Sequence, residues 1–152
     1  MLYRAEALIA APAAHVWAVL TDFEAYAAWN RFTPGARPDG PFAEGTTMRL
    51  RVRLYGVAQP QRERITALEP GTRVAWGFAG PLLRAERVQT VEARGPATSH
   101  YVTEDRIEGP LSGVVEGLMG GRLRRGFGFV AEDLKARAEA TWAGAATDAP
   151  AP

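Results

Sequence analysis

The clearest hydrophobic pattern lies near the end of the chain, where apolar residues recur at steps of four, three and four. These residues are Leu123, Phe127, Val130 and Leu134. The spacing places them on one face of an α-helix, and charged residues occupy most of the remaining positions. We therefore predict one long amphipathic helix over residues 111–140.

The first half of this predicted helix is rich in glycine. A glycine in a helix interior costs about 1 kcal/mol relative to alanine. Two outcomes are open. Either the helix frays, kinks or begins late, near Arg122, or the missing side chains allow another backbone or a ligand to come close.

An alternation of apolar and polar residues predicts a series of strands before this helix. The pattern is clearest over residues 47–55, where arginines separate Met48, Leu50, Val52 and Leu54. The other predicted strands are residues 3–9, 61–68, 73–78, 83–93 and 99–107, with a short edge strand within 32–37 as an option. Short turns that contain glycine and proline separate most of these strands, which indicates an antiparallel meander.

Two short helices are predicted after the first strand. Pro12 suits the first turn of one helix, and Asp22 suits the N-cap of the other, which ends at Trp29. The resulting order indicates an α+β fold in which the last helix covers the apolar face of a curved antiparallel sheet. We expect one domain over residues 1–141 and a disordered tail rich in alanine and proline over residues 142–152.

Composition excludes several classes of function. With a net charge of +1, the chain lacks the basic excess of a dedicated nucleic-acid binder. The absence of cysteine excludes disulfides, thiolate catalysis and cysteine metal sites. No signal peptide or membrane-spanning run is recognisable, so we expect a cytoplasmic protein without stable membrane insertion. A homodimer is left open.

Motifs for cofactors and metals are weak. Residues 126–131 match a Gly-x-Gly-x-x-Ala dinucleotide pattern, but they follow arginines rather than a strand, so we treat the match as chance. The two histidines, His15 and His100, lack metal-ligand spacing, and we expect His15 at the surface. We therefore expect no cofactor and no metal.

Several segments carry a resemblance to a known superfamily. They are residues 9–17, 20–23, 26, 29–30, 32, 68–70, 74–76, 105–109 and 126–135. Their order and spacing resemble the START/Bet v 1-like (SRPBCC) superfamily, particularly its polyketide cyclase/dehydrase and lipid-transport branch. Asp105 and Ile107 stand where that superfamily has Glu and Phe. The resemblance implies a helix-grip fold, in which about seven strands wrap around the C-terminal helix and enclose a hydrophobic cavity.

The apolar pattern indicates which side chains would line such a cavity. From the sheet we expect Leu50, Val52, Leu54, Trp76, Phe78 and Tyr101. From the helices we expect Trp29, Leu123, Phe127 and Val130. The simpler alternative is that these side chains only pack against one another, as apolar stripes usually do.

Polar groups on the inward face would orient a ligand or transfer protons. We expect the inward face of the last strand to carry Tyr101, Thr103, Asp105 and Ile107. Burial would raise the pKa of Asp105 unless Arg87 or Arg62 paired with it, and the carboxyl could then act as a general acid or base. Glu63, in phase with the apolar residues of its own strand, is a weaker candidate of the same kind.

Three hypotheses for the function remain. The first is binding of a small hydrophobic ligand, lipid-like or polyketide-like, between the sheet and the last helix. The second is a cyclase or dehydratase that uses Asp105 or Tyr101 for proton transfer, without a metal or nucleotide cofactor. The third is a protein-interaction module. Sequence favours the first because no compact catalytic constellation is visible.

One basic cluster is outside these hypotheses. Arg122, Arg124 and Arg125 could contact anionic lipid headgroups at the mouth of a pocket, although a solvated helix face is the simpler interpretation.

Overall fold

The computed structural model describes the backbone of residues 1–147 and the side chains of residues 1–145. Its elements, in chain order, are β1 (Leu2–Ile9), α1 (Ala13–Thr21), a 3₁₀ turn (Phe23–Ala25), α2 (Tyr26–Trp29), β2 (Gly35–Pro38), β3 (Thr47–Arg53), β4 (Ala58–Glu69), β5 (Arg73–Ala79), β6 (Arg84–Gly95), β7 (Thr98–Glu108) and α3 (Ser112–Thr147). The predicted order of strand, two short helices, strand series and long helix is confirmed.

Within the described residues, seven strands form one sheet in the order β1-β7-β6-β5-β4-β3-β2. Strands β2 to β7 pair antiparallel with their neighbours in the chain, and β1 adds to the sheet beside β7. Helix α3 covers the apolar face, and α1 packs against α3, β6 and β7. This is the α+β helix-grip fold that the sequence predicts.

Strand β3 shows how alternation assigns the two faces of the sheet. Met48, Leu50 and Val52 are buried, whereas the intervening arginines are exposed. The strand ends at Arg53 rather than at residue 55, because the chain turns at Gly56 with a φ of +82°, a region that favours glycine. Leu54 therefore lies half-buried in the turn.

Strand β7 presents to the interior the face that the sequence indicates. Tyr101, Thr103, Asp105 and Ile107 are all buried. The opposite face carries His100, whose Nε2 lies 3.0 Å from a carboxylate oxygen of Glu6 on β1. The predicted phase of this strand is confirmed.

Helix α3 is continuous from Ser112, so the late start near Arg122 does not occur. The close approach allowed by the glycines is found at Gly126, where a Cβ would lie 2.3 Å from the ring of Phe32. The approaching group is thus a side chain rather than a backbone. At the other end, residues 142–147 are helical instead of belonging to a tail, and residues 148–152 lie outside the described part of the chain.

The two halves of α3 pack differently. In its second half, Val130, Leu134 and Ala138 are at most 2% exposed. In the first turns of the helix, Val114 and Leu118 are 56% and 67% exposed, and Val115 and Met119, which face the sheet, are only partly buried. The helix therefore anchors through its second half.

His15 contributes to this anchor. Its Nε2 lies 3.1 Å from the carbonyl oxygen of Ala138 and 2.8 Å from Oγ1 of Thr141, which ties α1 to α3. The ring also packs 5.3 Å from that of Trp142. The expectation that His15 lies at the surface is wrong, since the side chain is half-buried.

We predict that Leu134→Ala lowers the free energy of unfolding by about 2–5 kcal/mol, because it leaves a cavity where α3 is most tightly packed. Leu118→Ala removes the same atoms from an exposed position on the same helix and should change stability little. Urea titration of both variants measures the difference. Equal losses would contradict anchoring through the second half of α3.

Candidate functional site

An interior cavity of about 190 Å³ lies between the sheet and the first half of α3. Its apolar lining from the sheet and its connections consists of Phe32, Leu50, Val52, Leu54, Phe78, Leu83, Ala85 and Ile107. The lining from α3 consists of Val115, Met119, Leu123 and Phe127. Its polar lining consists of Gln61, Glu63, Arg87 and Asp105. A mostly apolar space with a few convergent polar groups is typical of a small-molecule site.

The structure brings most of the predicted lining residues together at this cavity. They are Leu50, Val52, Leu54, Phe78, Leu123, Phe127 and the candidate acid Asp105. Trp29, Trp76, Tyr101 and Val130 are not among the residues that line it. Trp76 and Val130 are buried in the packed core, and Trp29 lies half-buried with its ring 5.0 Å from that of Tyr26.

The structure therefore corrects the prediction that Tyr101, like Asp105, could transfer protons. Its hydroxyl donates a hydrogen bond of 2.6 Å to Oε1 of Gln89, and complete burial raises its pKa above the ordinary value. A hydroxyl that is hydrogen-bonded within the core and away from the cavity lining is not placed to transfer a proton to a molecule in the cavity.

The charged residues of the cavity are positioned by strand register. The pairing of β6 with β7 sets Arg87 directly opposite Asp105, so opposite charges face each other across the ladder. Arg87 Nε lies 3.6 Å from Asp105 Oδ2, which is too long for a hydrogen bond. The guanidinium group also lies 4.4 Å from the ring centre of Phe127, so a cation–π contact orients it against α3.

Two atoms of this ion pair lack hydrogen-bond partners. Among the described residues, none bonds to Arg87 Nε or to Asp105 Oδ1, although both residues are only 8% exposed. A buried polar atom without a partner is destabilising by about 1–3 kcal/mol. Such atoms on the wall of a cavity are available to a polar group of a bound molecule.

Burial also changes the protonation of the two cavity carboxyls. Desolvation raises the pKa of Asp105, and the neighbouring Arg87 guanidinium opposes this shift in part. Desolvation raises the pKa of Glu63 to about 7, with Arg87 lowering it and Asp105 raising it further. Because desolvation outweighs the attraction of Arg87, the Glu63 carboxyl is partly protonated near neutral pH and can donate as well as accept a proton.

The sequence alone favours Asp105 over Glu63 and indicates Arg87 only as a possible partner of Asp105. The alternation along each strand could have identified both positions. Glu63 is in phase with the buried Ile65, and Arg87 is in phase with the buried Val91. A charged residue at an inward position of an alternating strand is unusual enough to mark a site.

A larger depression of about 540 Å³ lies around Gly77 on the outer side of the sheet. Its border includes Arg64, Glu86 and Arg106, and Thr66 Oγ1 donates a hydrogen bond of 2.7 Å to Glu86 there. These polar side chains are exposed. The interior cavity is the better candidate because apolar side chains from both layers enclose it.

Other kinds of site find no support in residues 1–147. No group of three or more histidine, aspartate or glutamate residues is arranged there to hold a metal ion. No helix in this part of the chain is long and apolar enough to cross a membrane.

Comparison with known proteins agrees with the fold. The profile of a family described as polyketide cyclase/dehydrase and lipid transport matches residues 3–139. The chain belongs to this family. The resemblance inferred from sequence is thus confirmed, and membership supports a ligand-binding or cyclase role.

Individual relatives are more distant. A protein of Penicillium oxalicum described as oxopyrrolidines biosynthesis cluster protein O is 28% identical over 168 aligned positions, which cover 87% of this chain and 83% of that protein. The Zhui aromatase/cyclase from Streptomyces sp. R1128 superposes with a TM-score of 0.75 at 17% identity, over 91% of this chain and 93% of that one. A START superfamily protein from Mycobacterium smegmatis gives 0.70 at 20% identity, over 92% and 98%. At these identities the solved structures show a shared fold.

We predict that stability falls as the pH rises from about 5 to 8, and that Glu63→Gln removes much of this slope. The folded state binds the Glu63 proton more tightly than the unfolded state, because its pKa is about 7 rather than near 4.5. Between pH 5 and 8, the folded form therefore holds a proton on Glu63 that the unfolded form mostly lacks. Loss of this proton as the pH rises lowers the free energy of unfolding by up to about 3 kcal/mol.

Denaturant titration at pH 5 and pH 8 measures this effect. Glu86→Gln, on the exposed outer face of the sheet, is the matched control and should keep the wild-type slope. A slope that is the same in wild type, Glu63→Gln and Glu86→Gln would show that Glu63 does not titrate as a buried group.

Proposed function

We propose that the protein binds a small hydrophobic molecule, lipid-like or polyketide-like, in the cavity between the sheet and α3. In this proposal, apolar side chains from both layers hold the body of the ligand. Arg87 and Asp105 orient its polar group. Glu63 adds a carboxyl that can accept or donate a hydrogen bond, depending on its protonation.

The observation that carries this proposal is the pair of unpartnered atoms on the cavity wall, Arg87 Nε and Asp105 Oδ1. Arg87 Nε is a donor and an ionised Asp105 is an acceptor, so one hydroxyl group could bond to both. The bonds would remove the penalty of leaving these atoms without partners. A purely apolar ligand would leave that penalty in place, and we therefore expect the ligand to carry an oxygen.

The cavity volume bounds the part of the ligand that can be enclosed. An apolar cavity of roughly 150 Å³ in another protein holds benzene, whereas sites for drug-sized molecules span roughly 300–1,000 Å³. At about 190 Å³, this cavity suits one ring or a short chain that carries a polar substituent. A larger ligand would extend beyond it.

A second candidate is a cyclase or dehydratase, and the protonation of the cavity carboxyls favours it. A group with a pKa of about 7 can act as either a general acid or a general base near neutral pH, and Glu63 has this property. Asp105 lies on the same cavity wall with its own pKa raised. The similarity to a protein named as an aromatase/cyclase points in the same direction.

We predict that Leu123→Trp weakens binding of 4-propylphenol by tenfold or more, because the larger side chain fills the cavity. Leu118→Trp places the same ring on the exposed side of α3 and should bind as the wild type does. Isothermal titration calorimetry measures both affinities, and thermal unfolding confirms that each variant is folded. Equal binding by folded Leu123→Trp would place the ligand elsewhere.

The two candidate functions differ in whether the wild type turns over a substrate and, if it does, in the effect of Asp105→Asn, which keeps the side-chain size and removes the ionisable group. For a carrier, no member of a panel of poly-β-ketone and β-hydroxycarbonyl substrates is turned over by the wild type. For an enzyme, the wild type converts at least one of them, and Asp105→Asn or Glu63→Gln retains binding but lowers kcat by at least about 100-fold. Mass spectrometry of the reaction mixture separates these outcomes.

A further inference from the structure

A second hollow, of about 350 Å³, opens beside the cavity. Its lining residues are Arg31, Phe32, Arg53, Leu54, Arg122, Arg125, Gly126 and Phe129. Four of these eight residues are arginines, and none of them is acidic. We call this hollow the arginine pocket. Since the chain as a whole carries a net charge of only +1, the positive charge here is a local accumulation.

The arginines of this pocket come from three separate parts of the chain. Arg31 follows α2, Arg53 ends β3, and Arg122 and Arg125 lie about one turn apart on α3. Like charges one turn apart on a helix are destabilising. A solvated helix face would account for the two arginines of α3, but it would not account for Arg53 beside them on the other layer.

Carboxylates neutralise only one of the four arginines. Arg31 lies 2.7 Å from Asp133 and 3.1 Å from Glu132. Arg122 instead lies over the ring of Tyr55, 4.6 Å from its centre, which orients the guanidinium group without neutralising it. Within the described residues, Arg53, Arg122 and Arg125 form no ion pair with a carboxylate. Their positive charge is therefore available to a bound anion.

The arginine pocket and the interior cavity share a wall. Phe32 and Leu54 line both spaces. The ring of Phe32 lies directly against α3 at Gly126, where a Cβ would come within 2.3 Å of it. Phe32 also packs edge-on against Phe127, with ring centres 5.3 Å apart. Two side chains thus form the partition, and their movement would join the spaces into one elongated site.

We propose that the ligand is an amphipathic anion, whose carboxylate or phosphate binds Arg53, Arg122 and Arg125 while its apolar body passes Phe32 and Leu54 into the cavity. This inference rests on the function proposed above and adds the chemical class of the ligand. Arginine suits this role because its planar fork of donors matches the oxygens of both anions. The cavity alone holds only about one ring, so a longer ligand needs the second space.

Competition between matched ligands tests the proposal. 4-Propylphenol in the cavity serves as the neutral reporter, followed by NMR, and the competitors are decanol, decanoate, decyl phosphate and inorganic phosphate. We expect decanoate, decyl phosphate or both to displace the reporter at a concentration about tenfold or more below that of decanol, because charge-assisted hydrogen bonds are stronger than neutral ones. The ratio of the two anions tells whether carboxylate or phosphate is preferred.

Arginine variants then locate the anion. Replacing Arg53 and Arg125 together by Gln should remove most of the preference for the anionic competitors and leave displacement by decanol unchanged. Arg51→Gln is the matched control, since Arg51 is exposed on the same strand and face but lines a different depression. A preference that survives in the double variant, or that is lost equally in Arg51→Gln, would overturn the proposal.

The remaining outcomes separate this inference from the function on which it rests. If neither decanoate nor decyl phosphate displaces the reporter more effectively than decanol, the inference fails while the cavity remains a binding site. If inorganic phosphate displaces the reporter at the same concentration as decyl phosphate, the pocket recognises a free anion, and the proposal of an amphipathic ligand is wrong. If the reporter itself does not bind, the proposed function fails first.

Discussion

The packing of α3 against the inner face of the sheet determines where the cavity lies. In the second half of the helix, Val130, Leu134 and Ala138 are fully packed, and His15 ties α1 to the same region. In the first half, Val115 and Met119 face the sheet without filling the space below them. Because one half is anchored, the other half can span a cavity without the helix detaching.

The charged residues of the cavity lie beside the first half of α3, where the helix does not fill the space above the sheet. A buried ion pair is usually no more stabilising than apolar residues of similar volume, because the desolvation of two charges offsets their attraction. The pair formed by Arg87 and Asp105 is also incompletely satisfied, since its closest atoms are 3.6 Å apart. A core selected for stability alone would not retain this arrangement beside a third ionisable group, Glu63. The proposed interaction with a ligand would give these residues a role that packing does not.

Much of the architecture could be predicted because it follows from periodicity. The alternation in β3, the phase of β7 and the stripe on α3 each assign an inward face, and the structure has these faces as predicted. The packing of the sheet around the last helix was predicted from the resemblance to the superfamily. The extent of α3 was less predictable, because propensity penalises its glycines, whereas helices in proteins are stabilised largely by tertiary packing, such as the contact of Phe32 with α3 at Gly126.

The site was predicted only in part, and the errors have a common cause. Periodicity shows that Trp76 and Tyr101 point inward, but it cannot show how far along the strand the cavity extends. That limit depends on the partner that each side chain finds in the fold, as with Gln89 on the neighbouring strand β6, which accepts a hydrogen bond from the hydroxyl of Tyr101. The pKa of Glu63 likewise depends on the loss of solvent around it and on its distances to Arg87 and Asp105, which are set by strand register.

The arginine pocket also could not be predicted from periodicity, which does not show which side chains meet in the fold. Arg122 and Arg125 were noticed as part of a basic cluster with Arg124, but the structure separates them. Arg124 turns towards Glu116 and lies over the ring of Tyr3, whereas Arg53, from a different layer, joins the other two. Only the fold shows which charges converge.

The central claim is that a molecule can occupy the space between the first half of α3 and the sheet, with its polar group at Arg87 and Asp105. A crystal soaked with 4-iodophenol tests this most directly, because the anomalous signal of iodine locates the ring. We expect an iodine peak among Leu50, Leu123 and Phe127, with the phenol oxygen within hydrogen-bond distance of Arg87 or Asp105. A peak confined to the outer depression around Gly77, or an interior without bound ligand at saturating concentration, would contradict it.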